Sequence, residues 1–441
     1  MEERQMRYPC IRSIIQYIDI NVRIQLVQRC PSLRSLNKAV PISARYMFFG
    51  FSRIIINSTV YQMGIYRDCA NNCSAPIQQF LRENQEGGIC YDIDEYGERD
   101  YALDRLINPG DVFIPSPYPS EERTPEEEDQ YIETLRERLA SLKQLRRIKE
   151  RKQEIELIES KILTWQQKRE PTGRLPFTPY LQFTITKPNG TTIIERMVYG
   201  KKLYEAIEYL YDKFFGRRKH PIRIGNLKIS STGGVLRLPE FMKVRVRELF
   251  MGSNVDEVMK AFVPIMIENY TPEDIGVIDG ESLAMNYEHP IIKAARVFII
   301  NRTPVTGQLF HIILDNTNER LDVQNGQNSI EELVMLTEKV ARDMRHIGTC
   351  YSFGIHSRQI VKLFFKEMKE KPRWRSTIEM SRGCARFPHT LSLILNKFSV
   401  LTICCNKNER YDNSNNGMEP WILWIRVEWC MRLSPEASTR Y

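Results

Sequence analysis

No stretch of this 441-residue chain approaches the ~18 uninterrupted apolar residues of a membrane span. The most hydrophobic piece, residues 421–433, is cut by Arg426, Glu428 and Arg432. The opening MEERQMRYPC is charged and lacks the apolar core of a secretory signal, so the chain reads as soluble and cytoplasmic. Cysteine is sparse, with ten residues scattered singly apart from Cys69/Cys73 and Cys404/Cys405. Secreted scaffolds pack cysteines far more densely, so reduced thiols in core positions are expected. Histidine is scarcer: His220, His289, His311, His346, His356 and His389 have no Cys or carboxylate at ligand spacing. Cys69-x3-Cys73 offers half of a tetrahedral zinc site and no second half, so no metal site is expected. The glycosylation sequons at Asn57, Asn189 and Asn301 have no consequence in a chain that stays out of the secretory route.

The signatures of chemistry are also missing. The sequence has no Gly-rich loop ending in Lys-Ser/Thr, no G-x-S-x-G elbow and no His-Glu-x-x-His. Ser231-Thr232-Gly233-Gly234 lacks the lysine and the helix start that stabilise a phosphate, and reads as a turn. The best nucleophile pairing is Cys350 with His346 or His356, but the alternating TCYSFGI favours Cys350 as a core residue. Charge of one sign is in small excess: Lys+Arg 63 against Asp+Glu 55 gives a net +8, which permits an acidic partner without demanding one. The basic runs Arg146-Arg147-Ile148-Lys149, Arg151-Lys152 and Arg217-Arg218-Lys219 carry no interleaved aromatics and read as solvated helix faces. No catalytic, cofactor-binding or metal residue is expected, and the chain does not read as an enzyme.

What is there suffices for real cores: 42% of residues are hydrophobic and 10% aromatic. At roughly 150 residues per domain, the length corresponds to two or three domains. Residues 1–45 form a helical head. In it Pro9 suits a first helical turn followed by Ile11, Ile14, Ile15 and Ile18. Asp19 or Asn21 can cap a second helix carrying Val22, Leu26 and Val27, and Pro31-Ser32 restarts a third that Pro41 closes. Helices this short need a surface on which to bury their apolar faces.

Residues 46–110 are β-rich, with YMFFGFSRIIIN and TVYQMGIY as strands and one short helix near residues 76–82. Residues 111–170 hold a Pro-rich, acidic linker (111–129) and one long charged helix from Tyr131 to Lys168. Leu135, Leu139 and Leu142 keep coiled-coil spacing, whereas Ile148, Ile155 and Ile162 repeat on a shifted phase. A clean dimeric coiled coil holds its phase, so a solvated helix packed on the body or weakly self-associating is expected.

Residues 171–441 form the body. It opens on a hairpin around Pro188-Asn189-Gly190 and an amphipathic helix over 201–215 that presents Leu203, Ile207, Leu210 and Phe214. Strand-like and helix-like pieces then alternate, with LFHIIL read as a strand and strand character returning over 391–433. This predicts an α/β (or α+β) fold with an irregular, leucine-rich-repeat-like alternation.

The head also carries a resemblance. Tyr8-Pro9, Ile14-Ile15, Tyr17-Ile18, Arg23, Leu26, Arg29-Cys30-Pro31-Ser32-Leu33-Arg34 and Val40-Pro41 are similar to a nematode-expanded family of uncharacterised F-box-related proteins. The similarity extends through Ile56-Asn57 and Tyr61-Gly64-Ile65-Tyr66 and recurs near residues 347–352. It implies a non-enzymatic interaction protein: the head docks a Skp1-like adaptor of a cullin ubiquitin ligase, and the body selects a protein substrate. Pro9, Ile11, Ile14, Ile15 and Leu26 match the docking face of such a module. Where a typical F-box opens Leu-Pro, this chain has Tyr8-Pro9. The alternative is a scaffold or nucleic-acid-associated protein using the long basic-leaning helix.

Overall fold

The computed structural model describes residues 8–69, 77–114, 125–144, 151–169, 175, 177–230, 233–252, 255–267, 272–277, 289–301, 307–326, 328–372, 378–379, 390–408 and 420–430. The fold is mixed α/β and divides into two units. The first comprises residues 1–246 and 260–268; the second comprises 247–259 and 269–441.

Unit 1 begins with the helices α1 (Tyr8–Ile15), α2 (Ile20–Arg29) and α3 (Arg34–Ala39). A meander follows: β1 (Ser43–Phe49), β2 (Arg53–Ile56) and β3 (Thr59–Asp68). The aromatic and β-branched run predicts these strands, and the alternation Tyr61, Met63, Ile65 puts one face in the core. Next come α4 (Ile77–Gln85), α5 (Tyr101–Asp104) and β4 (Val112–Ile114). β5 (Thr178–Thr186) and β6 (Thr192–Val198) form the expected hairpin, and α8 (Leu203–Phe215) leads into β7 (Ile222–Ile229). The sheet order is β7-β1-β2-β3-β5-β6, antiparallel throughout except that β7 joins β1 in parallel. On α8 the four predicted apolar residues are buried, joined by Tyr211 and Phe215. Phe214 meets the Tyr61 ring edge-on with centroids 5.1 Å apart.

Two expectations for unit 1 are corrected. Within the stretch read as a linker, Val112–Ile114 pairs with β8 (Gly234–Leu236) as a strand, and the helix starts at Pro125 rather than Tyr131. Pro125 sits where its missing N–H is harmless, and Glu126, Glu127 and Glu128 complement the helix N-terminus. Residues 115–124 lie outside the described residues.

The single long helix is instead two, α6 (Pro125–Gln144) and α7 (Lys152–Arg169), folded back on each other. Trp165 Nε1 donates to Asp129 and Lys161 Nζ to the Tyr131 hydroxyl, which requires antiparallel axes. The phase shift in the apolar stripe is the signature of this hairpin. Leu135, Leu139 and Leu142 face Ile155, Ile158 and Ile162 across it, so one stripe meets the other. Ile148 and the whole of the first basic run fall outside the described residues.

The chain crosses between units within β9 (Val244–Met251) and again within α9 (Val255–Phe262). Unit 2 carries β10 (Asp274–Val277), α10 (Pro290–Ala294), β11 (Val297–Ile300), α11 (Gly307–Leu314), β12 (Arg320–Gly326), α12 (Ile330–Arg342), β13 (Cys350–Ile355) and α13 (Arg358–Glu370). Residues 248–251 of β9 and strands β10 to β13 pair in parallel in sequence order. Parallel crossovers are right-handed, so a sheet that grows steadily in one direction sets its crossover helices on one face.

The antiparallel strands β15 (Thr390–Ile394), β16 (Ser399–Lys407) and β17 (Trp421–Trp429) extend the sheet from β13. The short strand β14 (Ile378–Glu379) pairs with β15. The helix side is apolar, with Ile275, Phe298, Leu321, Phe353, Ile425 and Ile403 buried. LFHIIL, read as a strand, is the helix α11, and the strand is RLDVQNG. A short apolar run has no period that separates helix from strand.

Candidate docking head and groove

The head is built around one buried cation. Arg23, 3% exposed on α2, donates from Nε to Asn37 Oδ1 (2.9 Å) and from its terminal nitrogens to the carbonyls of Asn37, Val40 and Pro41. Arg218, just past α8, donates to the same Asn37 carbonyl at 2.8 Å and to Phe214 O. Two guanidinium forks thus satisfy the last carbonyls of α3, groups that a short helix leaves without internal partners. Burial lowers the Arg23 pKa; burial and the Arg23 charge pull Arg218 down to about 9. Arg218 was expected on a solvated basic face. Its neighbours Arg217 and Lys219 are exposed, but Arg218 itself is a structural tie.

A second tie joins head and sheet. Asp19 caps α2 through the Asn21 N–H and accepts from Asn57 Nδ2. Asn57 sits in the β2–β3 turn at φ 55°, a left-handed conformation that Asn tolerates, and its Oδ1 accepts from Arg45 N. Asn21 donates to Ile56 O and accepts from the buried Tyr61 hydroxyl. Asn57, met in the sequence as a sequon, is a turn residue that holds the head down.

These ties divide the predicted docking residues. Ile15 is buried with Leu36 and Val40 in the head's own core, with Ile11 packed against it. Leu26 is half-buried on α2, and the Pro9 side chain lies outside what is described. Ile14 points outward. So do Cys10 one turn before it, Tyr17 (85% exposed) and Val22. The inward face is spent on unit 1 itself. The outward residues mix these apolar side chains with the exposed Arg12, Ser13 and Gln16.

Beside the head lies a groove of about 500 Å3 floored by Phe183, Ile185 and Met63 and walled by Tyr209 of α8 and Gln28 of α2. Its far wall is β6, whose residues are all exposed.

A third cluster locks α8. Asp92, 3% exposed, accepts from the Tyr199 hydroxyl and from the backbone N–H groups of Leu203 and Tyr204 at the start of α8. Nearby, Arg237 bonds Asp111 (2.7 Å) and the Leu103 carbonyl, while Arg99 pairs with Asp104. Burial raises the pKa of Asp104, Asp111 and Glu208. The cations here are consumed by these carboxylates and by backbone carbonyls.

Cys350, the one nucleophile candidate, lies on β13 with its thiol pushed up by burial, away from the thiolate that attack requires. Among the described residues no group of three or more His, Cys, Asp or Glu could hold a metal ion, and no helix is long and apolar enough to cross a membrane.

Sequence reasoning anticipated the Asp19 cap but missed Arg23, Arg218 and Asn57 as ties. A basic residue inside an apolar helical stripe, as Arg23 is, was the available signal. A family model described as Domain of unknown function (DUF3557) matches residues 202–357, from the start of α8 to just past β13. No curated protein and no solved structure matches the chain.

Proposed function

We propose that this chain is a non-enzymatic interaction adaptor whose head docks a Skp1-like adaptor protein and whose body recruits a protein substrate. One observation carries the reading. The head's inner face is occupied by its own core and by the sheet beneath it, while the apolar side chains of Ile14, Tyr17 and Val22 remain exposed on a module tied down by side-chain hydrogen bonds. Three large apolar side chains left exposed within nine residues of a short helical module are what a protein-binding surface requires. The sequence similarity of the same stretch to F-box-related proteins supplies the class of partner. Among the five residues of the predicted face, Ile14 contributes contact, while Ile15 and Ile11 contribute the scaffold beneath it.

Co-purification of the full chain with a Skp1-like adaptor tests this. The wild type is expected to retain the adaptor, and Ile14→Asp or Tyr17→Asp to lose it with the fold intact, since both side chains are solvent-facing. Absence of binding by the wild type, or undiminished binding by both variants, rejects the docking role.

A further inference from the structure

β6 is the last strand of unit 1's sheet among the described residues. An edge strand offers unpaired backbone groups, and proteins usually protect such edges by brevity, charged side chains, proline or a covering element. β6 has seven residues and no proline, its charges are limited to Glu195 and Arg196, and Ile193, Ile194, Met197 and Val198 are all exposed.

Which groups are free follows from register. Lys187 N–H donates to Thr191 O at the hairpin turn, and Thr186 opposes Thr192. Hydrogen-bonded pairs alternate along an antiparallel ladder. Ile193, Glu195 and Met197 therefore turn their N–H and C=O groups toward β5, and Thr192, Ile194 and Arg196 turn theirs outward.

The two faces of β6 differ. On one, Arg196 lies 3.7 Å over the Tyr66 ring and donates to Gln182 Oε1, so it is engaged within the sheet. On the other, Ile193, Glu195 and Met197 line the groove between α2 and α8. They extend the cross-strand rows Tyr61–Ile185–Ile193, Met63–Phe183–Glu195 and Ile65–Leu181–Met197. A strand added beside β6 would continue these three rows beneath the wall formed by Tyr209 and Gln28. Glu195 in the middle of β6, Lys187 at the turn end and Arg29 line the groove, and their side chains form no ion pair among the described residues.

We propose that β6 and this groove receive an extended peptide segment of a partner protein, added antiparallel as a further strand. Its groove-facing side chains would follow the pattern apolar–x–basic–x–apolar–x–acidic. The apolar pair falls opposite Met197 and Ile193, the basic residue opposite Glu195, and the acidic residue at the Lys187 end. Main-chain bonds to Thr192, Ile194 and Arg196 supply affinity, and the alternate pockets supply selection. A second copy of the chain fits this edge poorly. Two-fold pairing centred on β6 sets Glu195 directly against Glu195, and like charges directly opposite are destabilising.

The experiment is fluorescence anisotropy of the labelled peptide Val-Thr-Lys-Thr-Val-Thr-Glu titrated with the full chain and no adaptor, so head docking and peptide binding fail independently. Saturable binding is expected. Losing main-chain bonds should weaken it by roughly tenfold or more in Ile194→Pro, and likewise on N-methylating the peptide backbone. Proline at 194 removes an outward N–H and leaves the β5–β6 ladder intact; should that variant misfold, the N-methylated peptide gives the same readout. Exchanging the peptide lysine for glutamate should weaken binding to the wild type and strengthen it to Glu195→Lys. The proposal is overturned if the wild type does not bind, if N-methylation has no effect, or if the charge exchange changes nothing. Sedimentation showing a wild-type dimer that Ile194→Pro dissociates also overturns it, assigning the edge to a second copy.

Discussion

Arg23 shows how one polar residue can organise an apolar module. Its fork meets four acceptors at the end of α3, and truncation strands them in a buried environment. Arg23→Ala should cost about 2–4 kcal/mol in chemical denaturation, the range for leaving buried hydrogen-bonding groups unsatisfied. Arg23→Lys should recover less than half of that, because an ammonium cannot span the fork.

Phe241 presents the opposite case. It is 82% exposed at φ 61°, in a turn closed by Met242 N–H to Pro239 O. A bulky residue in the left-handed region is strained, so Phe241→Gly should raise stability by roughly 0.5–1 kcal/mol in the same assay. The acidic cluster sets a pH response. Asp104, Asp111 and Glu208 all titrate above their ordinary values of 3.8 and 4.5. As pH rises, the unfolded chain releases these protons first. The cluster's contribution is therefore complete below that ordinary range and is lost as pH climbs through the raised folded values. Urea midpoints measured between about pH 4 and 7 should fall on this account, and Glu208→Gln should flatten the decline.

At the scale of elements, α8 links three separate parts of unit 1. Its start is held by Asp92, its last turn packs Phe214 on Tyr61, and just past its end Arg218 ties it to the head. The apolar face of α8 was legible because the 3.6-residue period is a local property. Its anchors were not, because Asp92 lies 111 residues from Leu203.

The α6–α7 hairpin was half legible. Both apolar stripes stand in the sequence, but no residue type announces whether they face each other or a partner. Ion pairs such as Arg138–Glu154 are exposed and contribute little, so Leu142 in the hairpin core holds it together. Leu142→Asp should abolish amide protection over residues 125–169 in hydrogen exchange and leave protection of β1, β3 and β5 unchanged.

For the whole molecule, the span 202–357 matched by the family model does not coincide with a structural unit. It takes α8 away from β3, and β13 away from β17. Expressed alone, this fragment should lack the dispersed amide spectrum of a packed core, whereas the full chain shows it. The sequence by itself determined the mixed α/β class, the helical head, the hairpin at Asn189-Gly190 and the apolar face of α8, because turn chemistry and hydrophobic period act between near neighbours. Only the tertiary structure decided which apolar residues of the head remain exposed, that the long helix doubles back, and that β6 ends its sheet. Those outcomes depend on partners far away in sequence. Ile14 and Ile15 are adjacent and chemically identical, and only packing against Leu36 and Val40 makes one core and leaves the other on the surface.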